Sequence, residues 1–210
     1  MEISTLLTYC ITCLAMAFLP GPDIYFVLET SLRRGFRAGL CIALGLCTGC
    51  MFHTFLCAAG VSLLIASSPI LMNAIRLFGA CYLGYLAYLN WRSKPQSGAS
   101  ATRGGDGGAS DGLYLRGVLM NVSNPKVIVF FLSFFPQFLT ENGWAVWLQI
   151  CVLGAIFAAS ALAVFSAVSF FAARAAKTLD SPKFAAVMRI VGICVFGGLS
   201  LALFAEILAA

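Results

Sequence analysis

Charged residues in this chain come in bursts, and the uncharged runs between them are long enough to cross a bilayer. Glu2 and Asp23 enclose twenty residues without a full charge, and from Ala38 to Ile75 there is none apart from the titratable His53. Leu77–Trp91, Val127–Thr140, Asn142–Ala173 and Ile190–Ala205 are likewise uncharged. A spanning helix needs about 20 mainly apolar residues. The runs therefore predict six helices, at about 3–28, 40–66, 70–91, 117–139, 145–172 and 186–207. Composition agrees: 61% of residues are apolar and 10% charged, against roughly 25% charged in a soluble domain. An ordinary soluble domain and a disordered chain are both excluded. The expected fold class is an all-α membrane protein.

Eleven of the thirteen Lys and Arg residues fall on one side of the six spans. Arg33, Arg34 and Arg37 follow the first helix; Arg92, Lys94, Arg103 and Arg116 lie between the third and fourth. Arg174, Lys177, Lys183 and Arg189 lie between the fifth and sixth. The positive-inside rule places these loops in the cytoplasm and both termini outside. The basic excess is thus a topology signal with an attraction to anionic lipid, and gives no reason to invoke nucleic acid. The start, Met1-Glu2, has no cationic leader, so the first helix is expected to remain in the mature protein.

Six glycines mark Ser93–Gly112 as a composition shift, which reads as a flexible cytosolic linker. The chain accordingly divides into a three-helix unit at 1–92, a Gly/Ser-rich linker at 93–115 and a second three-helix unit at 116–210. Arg76-x-x-Gly79-x-Cys81-x-x-Gly84 recurs as Arg189-x-x-Gly192-x-Cys194-x-x-Gly197 with every spacing kept. Phe18-Leu19-Pro20 and Phe134-Phe135-Pro136 form a weaker echo. Three helices per half is an odd number, so the halves are expected to be inverted repeats. Arg76 then belongs at the outer face, opposite its counterpart Arg189.

Two of the helices are broken. Pro20-Gly21-Pro22-Asp23 interrupts the first and Asn124-Pro125-Lys126 the fourth, because proline supplies no amide proton and clashes with the preceding turn. At about 1.5 Å per residue, both breaks lie at one level, roughly 10 Å inside the cytoplasmic boundary. They also hold two opposite charges, Asp23 and Lys126. An intramembrane charge costs at least about 2.5–3.5 kcal/mol, so both are expected to face the bundle interior. There they either pin helix one to helix four or complement a zwitterion, with Asp23 taking an ammonium and Lys126 a carboxylate. Unwound backbone at Pro20, Gly21, Pro22, Asn124 and Pro125 would supply further hydrogen bonds.

These motifs, with Arg33-Arg34-Gly35-x-x-Ala38-Gly39 and the Phe-rich run to Phe135-Pro136-Gln137-Phe138, resemble the LysE/RhtB amino-acid exporter family. The resemblance covers nearly the whole chain, including the glycine-rich second helix with His53. It implies a bacterial cytoplasmic-membrane exporter of amino acids or close derivatives, driven by proton entry. Pro20 to Asp23 and Asn124 to Lys126 match the family's motif positions. The linker is longer and looser than the family pattern, and the identity of the substrate does not carry over.

Proton coupling needs a group that changes protonation. Asp23 is one candidate. His53 is the other, with the alternative that it is a buried packing residue bonded to a neighbouring carbonyl. Glu29, one turn before Arg33, reads as a surface pair. Gln137 either lines an outer exit path or caps a frayed helix end. Cys10-x-x-Cys13 and Cys47-x-x-Cys50 have redox spacing on paper, but all nine cysteines fall in predicted spans, where thiols pack as small apolar groups. No metal site, cofactor or enzymatic activity is expected. A membrane thiol carrier would need a cysteine on helix four, which has none; a passive channel is the other alternative. Gly45-x-x-x-Gly49 and Ala80-x-x-x-Gly84 permit close helix approach, within one chain or in a homodimer.

Overall fold

A computed structural model describes residues 2–67, 69–92, 112–140, 143–174 and 182–209. Most of the linker expected at 93–115, Ser68 and Glu141–Asn142 lie outside the described residues. So do Lys177 and the side chains of Lys183 and Arg189.

The described residues are mainly helical and include no strand. In chain order they form α1 (Ile3–Phe18), α2 (Pro22–Arg34), α3 (Phe36–Ser67), α4 (Pro69–Arg92), α5 (Leu113–Val122) and α6 (Pro125–Val129). A π-helical turn at Phe130–Phe134 and a 3-10 turn at Phe135–Phe138 follow, then α7 (Val146–Arg174) and α8 (Pro182–Ala209). Proline opens α2, α4, α6 and α8, since its fixed φ suits the first helical position and its missing N–H is not needed there.

Two helices, Phe36–Gly60 within α3 and Val146–Arg174, are single elements long and apolar enough to cross a membrane. Two bent pairs meet the same criterion together. α1 and α2 are bent by 58°, and α5 and the Pro125–Phe138 segment by 48°. Both bends fall at the proline motifs. The helical elements also outrun the apolar runs: α2 continues to Arg34, α3 starts at Phe36 and α5 opens at Leu113, inside the stretch read as linker. Gly35 alone turns the chain from α2 to α3 with φ 82°, a left-handed value that favours glycine.

The surface is apolar, unlike that of a soluble protein, and several polar groups are buried among the apolar interior residues. Ile3, Leu7, Ile11, Leu14 and Phe18 form an exposed stripe along α1, whereas Asp23, His53, Asn121, Asn124, Lys126 and Gln149 are buried. Polar groups facing the bundle interior and apolar ones facing outward are what a lipid solvent selects.

Two apolar clusters fill the interior. One gathers Tyr9, Cys13, Met16, Cys57 and the phenylalanines of 130–138. The other gathers Ala17, Ile24, Val27, Ile42, Leu46 and Phe165. α3 and α5 cross at glycines, because a Cβ on Gly45 would strike the Tyr114 carbonyl and one on Gly117 the Ile42 carbonyl. Ser200 Oγ donates to the Ala80 carbonyl at 2.8 Å, tying α8 to α4. Both small-residue stripes are therefore used within one chain. At one end, Ser31 Oγ donates to Ser169 Oγ at 2.9 Å, and Ser169 Oγ donates to the Phe36 carbonyl at 3.0 Å. That junction gathers Arg33, Arg34, Arg37 and Arg174 at the same end of the bundle, with Arg33 paired to Glu29 at 3.1 Å.

Candidate functional site

An α-helical carbonyl accepts from the N–H four residues later. Proline at position 20 therefore leaves the Met16 carbonyl without its helical donor, and α1 stops at Phe18. Leu19 and Gly21 are extended, and α2 restarts with Pro22 at its first position. Asp23 falls in the first turn of α2, where the helix dipole favours a carboxylate. Proline at position 125 has the same effect on the Asn121 carbonyl. Asn124 caps the restarted helix, its side-chain oxygen accepting from the Lys126 N–H at 3.0 Å.

The two restarts face each other. Lys126 Nζ lies 3.0 Å from Asp23 Oδ1 and 3.0 Å from Oδ2. It also donates to the freed Met16 carbonyl at 3.4 Å. Asp23 and Lys126 are 2% and 4% exposed, so the pair is withdrawn from solvent. Gly21 makes the approach feasible: a Cβ there would lie 2.8 Å from Asp23 Oδ1 and 3.1 Å from Lys126 Nζ. The pair sits at the seam between the two apolar clusters. A cavity of about 10 Å³ beside it is lined by Met16, Ala17, Cys50, Asn121, Phe157 and Phe165 among others, room for about one water molecule. A buried ion pair adds little net stability, but losing one partner costs about 3–5 kcal/mol because the other charge is stranded.

The LysE type translocator model matches residues 14–206, a stretch that includes both breaks. The chain belongs to the LysE type translocator family. Its relatives include a leucine efflux protein of Klebsiella pneumoniae, 36% identical over 142 residues, which cover 65% of this chain and 64% of that protein. The leucine efflux protein of Salmonella typhimurium is 35% identical over 133 residues, 63% of this chain and 62% of the relative. The chain thus spans less than two thirds of the length of these relatives. An uncharacterized membrane protein of Bacillus subtilis, YrhP, is 31% identical over 201 residues, 92% of this chain and 95% of its own length. No solved structure matches.

Within this chain the structure brings together the motif residues 20–23 and 124–126, and places the other candidates around them. His53 lies behind the second break. Its Nε2 is 3.3 Å from the Asn121 carbonyl, and its ring stacks on Phe131 at 5.4 Å. A carbonyl only accepts, so Nε2 carries the proton in this bond. His53 does not line the ion-pair cavity; it borders a separate apolar groove of about 240 Å³ with Phe52, Leu56 and Leu132. Gln137 Nε2 donates to the Ser133 carbonyl one turn back at 3.0 Å. The cysteines are free thiols, with Cys13, Cys50 and Cys57 buried, and no group of three metal-ligating side chains occurs among the described residues. Two contributors escape a reading of charges and motifs: the Met16 carbonyl and Asn121. Each stands four residues before a proline, which is the signal that finds them.

Proposed function

We propose that this chain exports an amino acid across the bacterial cytoplasmic membrane and binds it as a zwitterion between Asp23 and Lys126. One observation carries the reading: a buried ion pair is held where two proline-broken helices meet. The substrate ammonium takes the place of the Lys126 ammonium at Asp23 and the Met16 carbonyl. Its carboxylate takes the place of Asp23 at Lys126. Neither buried charge is then left stranded, so the exchange avoids the cost that breaking the pair alone would carry. Ala17, Val127, Phe157, Ala161 and Phe165 around the cavity suit an aliphatic side chain. With relatives named leucine efflux proteins, leucine is the first substrate to test.

The architecture in this reading is six spans in two inverted three-helix repeats: α1/α2, α3 and α4, then α5 through the 3-10 turn, α7 and α8. Both termini are outside. The two bent pairs, the shared Arg-x-x-Gly-x-Cys-x-x-Gly of α4 and α8, and the basic end at Arg33, Arg34, Arg37 and Arg174 support it. Proton entry drives export, with Asp23 as the proton carrier and His53 as the second candidate.

The test is export of a labelled amino-acid panel from cells making wild type, Asp23→Asn or Lys126→Met. The wild type exports leucine or another member of the panel with saturation and with accelerated proton entry, and both variants lose export. Equal export by all three overturns the site. Flux without saturation or coupling identifies a passive channel instead.

A further inference from the structure

The cavity beside the ion pair contains a hydrogen-bonding group with nothing to bond. Asn121 is 1% exposed and lines that cavity, and its Oδ1 has no hydrogen-bond partner. Its Nδ2 donates to Cys50 Sγ at 3.5 Å. Turning the carboxamide round leaves an orphan again, because the thiol then faces the oxygen and the Nδ2 group is unpaired. Buried polar groups are almost always satisfied, and an exception needs a reason. Poor packing is not the reason here. Gly49 of α3 makes room for this side chain, since a Cβ there would lie 2.6 Å from Asn121 Cβ. The Asn121 backbone is also held, its carbonyl accepting from the Asn124 N–H at 3.0 Å and contacted by His53 at 3.3 Å.

We propose that Asn121 is a third substrate-binding residue, its Oδ1 accepting one N–H of the substrate's ammonium group alongside Asp23 and the Met16 carbonyl. This rests on the zwitterion reading and sharpens its substrate class. An ammonium group has three donors. Asp23 and the Met16 carbonyl already hold the Lys126 ammonium, and Asn121 Oδ1 supplies a further acceptor in the same cavity. The site therefore selects primary α-amino acids over N-methylated and cyclic secondary ones, which carry one N–H fewer. Asn124 Nδ2 is also buried without a partner, but it does not line the cavity and plays no part in this proposal.

Transport into everted vesicles tests it, using the best-exported amino acid of the panel and its N-methyl derivative, with leucine and N-methyl-leucine as the first pair. In the wild type, kcat/KM for the N-methyl compound is lower by about tenfold or more, the effect of one lost bond to a charged group. Asn121→Leu, which keeps the shape and removes the acceptor, lowers the rate for leucine and brings the ratio close to one. Asn121→Ala does the same with extra room for the methyl group. A structural role alone would slow both substrates equally and leave the ratio unchanged, which overturns the proposal. If neither variant reaches the membrane, the wild-type ratio decides, because equal kcat/KM for the two substrates also overturns it. Export surviving in Asp23→Asn and Lys126→Met would sink the zwitterion site. Export lost there, with an unchanged ratio in the Asn121 variants, would sink the role of Asn121 alone.

Discussion

At the first break a proline frees the Met16 carbonyl, and a lysine from a distant part of the chain takes it. At the second, a proline frees the Asn121 carbonyl, which meets the nearby Asn124 N–H and the His53 ring. The cause is the same and the bends are similar, 58° and 48°. What differs is where the satisfying donor comes from. The second break is completed by its own turn and by a ring wedged against Phe131, so it stays satisfied whatever happens in the cavity. The first is completed only while Lys126 reaches across from α6. Its acceptors, Asp23 and the Met16 carbonyl, lose their partner whenever Lys126 withdraws, which in the proposed reading is when a substrate takes them over.

The strongest way to break the comparison is to remove one charge. Asp23→Asn or Lys126→Met should each cost about 3–5 kcal/mol of stability. The double variant should recover much of that in thermal unfolding while export stays absent. Recovery of export in the double variant would mean that the pair only staples α2 to α6. A milder test crowds the approach without touching a charge. Gly21→Ala should cost about 1–3 kcal/mol, as overpacking does, and should raise KM, because the new methyl pushes Asp23 and Lys126 apart. Wild-type KM in that variant would show that the close approach has no bearing on the site. The smallest effect belongs to the second break. His53→Gln retains an N–H donor for the Asn121 carbonyl, so it should cost about 1 kcal/mol or less. Proton entry coupled to export should persist in it and vanish in Asp23→Asn. Uncoupled export in His53→Gln would move the proton carrier from the first break to the second.

Much of this site can be read without coordinates. Proline chemistry places both breaks, and the cost of intramembrane charge says that Asp23 and Lys126 face inward. Other features resist a linear reading for identifiable reasons. The proline four residues on marks the Met16 and Asn121 carbonyls as freed, but which side chain fills each depends on how α1, α3 and α6 pack. Residues 130–138 read as continuous apolar helix, because a change of register leaves the hydrophobic pattern intact. In the structure a π-helical turn and a 3-10 turn replace regular helix there, around Pro136, which has no N–H for the Leu132 carbonyl. The ends of α2 and α3 also differ from the apolar runs. Glu, Arg and Leu are good helix formers, so the helix continues beyond the point where the charges begin.

The mutual neutrality of Asp23 and Lys126 has an electrical consequence. Moving one elementary charge through the membrane field involves about 2.3 kcal/mol per 100 mV. The paired carboxylate and ammonium sum to zero, and they still sum to zero with a zwitterion seated between them. While Asp23 is ionised, voltage therefore does no work on the pair, and under the proposed coupling only the step in which Asp23 carries the driving proton leaves a net charge for the field to act on.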